Sequence, residues 1–100
     1  MTIAKEAGKL LDPKCLDLPT SPRVLGIEVE NAIDASGDEA LRIYVTIADG
    51  TRDKELTGEH ILKLKGAIHD RLLAHGIDLF PYVFLRTESQ RREELAQQRG

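Results

Sequence analysis

The chain has 100 residues, enough for one domain with a core that can fold alone. A net charge of −3 and a pI near 5.6 exclude bulk electrostatic attraction to nucleic acid or anionic lipid. Hydrophobic residues make up 41% and charged residues 31%, with no run of ~18 apolar residues, so a small core with polar tails is expected and a membrane span is not.

The opening MTIAKEAGKLLD lacks the apolar centre of a signal peptide. Cys15 is the only cysteine, so no intramolecular disulfide can form and a reducing, cytoplasmic setting is expected. Residues 3–11 predict a short helix with Ile3, Ala7, Leu10 and Leu11 on one side. Residues 12–22 hold Pro13, Pro19 and Pro22 and read as an extended linker, because proline fixes φ and removes donors.

From Arg23 to Ile33 the pattern has period two, with Leu25, Ile27 and Val29 opposite Glu28 and Glu30. Gly26 marks a bulge or a close approach. Ser36-Gly37-Asp38 supplies a hairpin loop. Leu41–Ala48 alternates again, Leu41, Ile43, Val45 and Ile47 against Arg42, Tyr44 and Thr46. Asp49–Glu55 is a polar loop.

The strongest local signal spans Thr57 to Ile77. Thr57 suits an N-cap, and Leu56 with Ile61 has the spacing of a hydrophobic staple. Gly76 suits a left-handed C′ residue, followed by Ile77 in contact with Leu72. Ile61, Leu64, Ile68 and Leu72 form an apolar stripe, widened by Leu62 and Leu73. Glu59 and Lys63 pair at i,i+4 on the polar side. Lys65 falls within the stripe, its stem covering apolar surface and its amine reaching water. Phe80–Thr87 reads as a third strand. Thr87 and Gln90 then have capping-box spacing for a C-terminal helix whose only large apolar residue is Leu95.

Pro81 cannot donate to a ladder, which makes the third strand an edge. A right-handed crossover through the helix places it beside the first strand. The expected fold is α+β: a small single β-β-α-β domain, an antiparallel three-stranded sheet in the order 2-1-3, and one long helix on one face. Order 1-2-3 with a parallel last pair needs only a change of neighbour. By this reading residues 1–22 are an N-terminal segment and linker, 23–88 the domain, and 89–100 a polar helix or tail.

Motifs of metal, nucleotide and nucleophile chemistry are missing. His60, His69 and His75 lack zinc spacing, the loop carboxylates lack calcium spacing, and there is no phosphate loop or nucleophile elbow. No cofactor or metal is expected, and no enzyme. One constellation remains. If Leu41, Ile43, Val45, Ile47, Val83 and Leu85 face the helix, then Tyr44, Phe80, Tyr82 and Phe84, all four aromatics, share the opposite face with Arg42 and Arg86. The strand–strand–helix–strand order resembles RNA-binding modules of the KH and RRM kind at the level of fold. The basic G-x-x-G loop of the first and the aromatic sheet motifs of the second are both absent. The expected function is therefore a small regulatory, antitoxin-like interaction module that binds a protein partner or itself, as a homodimer, through the aromatic face. A single-stranded RNA platform is the alternative, and Glu28 and Glu30 on the same face oppose it.

Overall fold

The computed structural model describes residues 3–12, 23–50 and 57–98. Its elements in chain order are α1 (Ile3–Leu10), β1 (Val24–Ile33), β2 (Glu39–Ile47), α2 (Gly58–Ala74), β3 (Phe80–Thr87) and α3 (Glu88–Gln98). Cys15, the proline-containing stretch 13–22 and Leu56 of the expected staple lie outside the described residues. No described helix is long and apolar enough to cross a membrane.

The architecture is α+β, with a three-stranded mixed sheet in the order β1-β2-β3. This corrects the expected order 2-1-3 and the all-antiparallel arrangement. β1 and β2 pair antiparallel, but β2 and β3 run parallel, with Ile43 opposite Val83 and Val45 opposite Leu85. The physical reason lies in the strands themselves. β2 supplies Leu41, Ile43, Val45, Thr46 and Ile47 to the interior, so it is the strand that can be covered on both faces. β1 carries Glu28 and Glu30 exposed, which suits an edge. The crossover through α2 therefore returns β3 to the nearer side of β2, as a β-α-β unit, and Pro81 still lies on an edge strand.

Local signals explain the ends of the elements. Asp34 Oδ1 accepts from the amides of Ser36 (2.9 Å) and Asp38 (3.0 Å), and Gly37 takes φ 85°, closing the β1–β2 turn. Thr57 Oγ1 accepts from the His60 amide at 3.3 Å, capping α2. At the other end the Ile77 amide donates to Leu72 O and the Gly76 amide to Leu73 O, a Schellman motif with Gly76 at φ 77°. α3 opens with a reciprocal capping box: the Gln90 amide donates to Thr87 Oγ1 and the Thr87 amide to Gln90 Oε1.

The core lies on one side of the sheet. Leu41, Ile43, Val45 and Ile47 meet Leu64, Ile68 and Leu72 of α2, with Ile77 closing the end. α1 joins this layer, so the core extends beyond residues 23–88. Ala4, Ala7 and Leu11 are buried, and Arg71 Nε donates to Leu10 O at 3.2 Å, satisfying a carbonyl at the end of α1. Ile3, expected on the buried side, is 39% exposed, because that side is centred on Ala4, Ala7 and Leu11 and Ile3 falls at its margin. The α2 stripe is also narrower than expected. Leu62 and Leu73 are 71% and 46% exposed, since both fall well round the helix from Leu64, Ile68 and Leu72. Lys65 is exposed. In β1 a register shift between Val24 and Gly26 turns Val24 toward the core and Leu25 outward, so the bulge moves one residue of the expected face.

Candidate interaction face

The ladder register fixes which side chains share the second face. Glu28, Tyr44 and Phe84 form one row across the sheet, and Glu30, Arg42 and Tyr82 the next. Thr46 and Arg86 are paired in a third row, and Ala40 and Phe80 in a fourth. Side chains alternate along a strand, so residues paired with Tyr44 or its i±2 neighbours project as it does. All four aromatics therefore lie on the face away from α1 and α2.

They fall into two contacts. The Tyr44 and Phe84 rings stack with centroids 5.8 Å apart, and Phe80 and Tyr82 meet at 4.7 Å with their planes tilted by 57°. The Arg86 guanidinium sits 4.8 Å above the Tyr44 ring. Arg42 Nη1 donates to Glu30 Oε1 at 2.7 Å, and the Tyr44 hydroxyl donates to the same oxygen at 3.1 Å.

Arg86 is the hub of this face. It donates to Glu28 Oε2 at 3.0 Å and to Glu94 Oε2 at 2.5 Å, and its side chain is only 13% exposed. Its Nε is buried and has no hydrogen-bond partner among the described residues. Glu28 takes a second cation, Arg91 Nε, at 2.7 Å. Burial pushes the Glu28 carboxyl up, but hydrogen bonds and charge from Arg91 and Arg86 together outweigh it and hold the group below the ordinary range. At the start of α3, Asp49 accepts from the Ser89 amide (3.0 Å) and hydroxyl (2.7 Å), and these bonds hold its carboxyl low as well.

These contacts dock α3 over the β1 side of the face. The sequence places Glu88, Arg91, Glu94 and Leu95 at helical spacing, which was the signal available for this docking. Leu95 remains 43% exposed, so polar contacts do most of the holding. The β3 side stays open, with Phe80, Tyr82 and Phe84 60%, 39% and 47% exposed. Sequence reasoning named the six residues Tyr44, Phe80, Tyr82, Phe84, Arg42 and Arg86, and the structure brings them onto one face. It did not find Arg91, Glu94, Asp49 and Ser89, which join that face only through α3.

A docking of this kind should answer to salt and acid. A carboxylate with a lowered pKa in the docked state contributes fully above its ordinary pKa. That contribution is lost as pH falls through the lowered value. Glu28 and Asp49 are both of this type, so α3 should come away as pH drops below the ordinary carboxylate range of about 4. Raising salt from ~0.05 to ~1 M should loosen it at neutral pH. Amide hydrogen exchange of residues 88–98 reads both effects. Exchange unchanged across both titrations, while the core stays folded, would show that other forces hold the helix.

Among the described residues, no three His, Cys, Asp or Glu side chains converge as a metal site would need. Comparison with protein-family models, with curated proteins and with solved structures yields no match for this chain.

Proposed function

We propose that the protein is a small, non-enzymatic, cytoplasmic interaction module that binds a protein partner through the sheet face centred on Tyr44 and Tyr82. The observation that carries this reading is the division of the face. Phe80, Tyr82 and Phe84 stay open on the β3 side, while the charged residues beside them pair with one another. Aromatic side chains supply much of the energy at interface centres, and paired charges suit the rim. The same pairing weighs against a nucleic-acid platform. Arg42 is engaged by Glu30 and Arg86 by Glu28 and Glu94, so a phosphate would have to displace carboxylates to reach either cation.

Replacing Tyr44 and Tyr82 together by Ser should weaken partner capture by about tenfold or more, at unchanged secondary structure. Tyr44 is also stacked and hydrogen-bonded, so the pair Phe80→Ser with Tyr82→Ser repeats the test at the more exposed end. Comparative pull-down by wild type and the two folded variants checks it. Undiminished capture by both variants would end this reading.

A further inference from the structure

We propose that two copies of the chain pair β3 against β3, antiparallel, with α2 packed on α2 across the same two-fold axis. This contact runs along the outer edge of the sheet and shares β3, and with it Phe80, with the face described above. Three observations lead to it.

The first is the character of the two sheet edges. β1 has a register shift at its start, between Val24 and Gly26, and carries Glu28 and Glu30 exposed along its length, devices that discourage edge pairing. β3 carries no charge from Phe80 to Leu85, its one edge-blunting residue, Pro81, falls at the start of the strand, and among the described residues no strand pairs with its outer side. α3 leans the other way, toward Glu28 of β1, and leaves that edge clear.

The second is a line of residues on α2 next to this edge. Leu62, Gly66, His69 and Leu73 follow one another at steps of four, three and four, and so share one side of the helix. All four are exposed. Leu62, Gly66 and His69 line a shallow groove with Phe80, Pro81 and Val83 of β3. The line is self-complementary when reversed: Leu62 falls opposite Leu73 of the second copy, and Gly66 opposite its His69. A Cβ added at Gly66 would meet nothing within 4 Å inside the monomer, so the space above it is free for that imidazole.

The third is the area. Leu62, Leu73 and Phe80 are 71%, 46% and 60% exposed. With the flank of an eight-residue strand they offer roughly 600–800 Å² per copy, the size at which specific interfaces begin. A foreign peptide added to β3 would leave Leu62 and Leu73 in water. A second copy covers the edge and the helix line at once, because one two-fold axis serves both. The product is a six-stranded sheet with the two aromatic faces continuous on one side.

Gly66→Arg tests this without harming the fold, since arginine is the better helix former and its Cβ has room. Sedimentation equilibrium of the full chain from ~1 to ~200 μM should show wild type approaching twice its 11.1 kDa mass, and Gly66→Arg remaining at the single-chain mass. Amides of Val83 to Leu85 should exchange more slowly as wild-type concentration rises. Tyr44→Ser, on the central strand, should leave the dimer intact. A wild type that stays single to ~200 μM overturns the proposal. So does a Gly66→Arg variant that dimerises like wild type, β3 exchange independent of concentration, or loss of the dimer in Tyr44→Ser.

Discussion

Leu72→Ala should destabilise the protein by about 2–5 kcal/mol, read as a lower urea midpoint at unchanged slope. Leu72 is fully buried between the sheet and the last turn of α2, where Ile77 closes the core. Truncation removes three carbons and leaves a cavity that Leu41, Ile43 and Ile68 cannot all move to fill. The backbone bonds of the Schellman motif survive, because the Leu72 carbonyl still accepts from Ile77. The loss is therefore one of packing alone. It would consume a large share of the ~5–15 kcal/mol that holds a domain of this size together. A midpoint unmoved within error would mean that α2 presents some other side to the sheet.

Ala7→Glu should be comparably severe, at about 3–5 kcal/mol, because it sets an unpaired carboxylate where no surface is exposed. The only escape is for α1 to lift off the sheet, which uncovers Ala4 and Leu11 and breaks the Arg71–Leu10 tie. Lys5→Glu, on the exposed side of the same helix, should stay within about 0.5 kcal/mol of wild type. Parallel denaturation curves of the two variants check this. Equal stabilities would show that α1 is an ornament rather than a wall of the core.

What could be read from the residues was whatever depends on near neighbours. Thr57, Gly76 and Ile77 bracket α2 because caps are local chemistry, and the Thr87–Gln90 box starts α3 for the same reason. The shared face of Tyr44, Tyr82 and Phe84 followed from alternation, which holds whether the strands pair parallel or antiparallel. For that reason the face emerged although the strand order did not. Order depends on which strand is flanked on both sides, and whether β3 returns beside β1 or β2 is decided by contacts far apart in the chain. α1 joins the core through Ala4 as well as the expected Ala7 and Leu11, and Ala4 is too small to stand out in a hydrophobic stripe. α3 is held mainly by Arg91, Glu94 and Ser89, residues that look like any solvated surface until their partners on β1 and β3 and at Asp49 are known. Leu62 and Leu73 were counted as core because spacing alone does not say how wide a buried face will be.

The parallel pairing of β2 with β3 also bears on how the chain emerges from the ribosome. β1 and β2 can close their hairpin as soon as both are out, since only a tight turn separates them. The other side of β2 must wait for its partner: Ala40 pairs with Phe80, 40 residues later. At about 5–20 residues per second this leaves the most buried strand of the sheet half-paired for seconds during synthesis. Leu41, Ile43 and Val45 are then covered on one flank only by whatever α1 contributes. Translation speed between residues 48 and 80, and the holdase capacity of the cell, thus become determinants of yield for a domain whose finished form pairs that strand on both flanks.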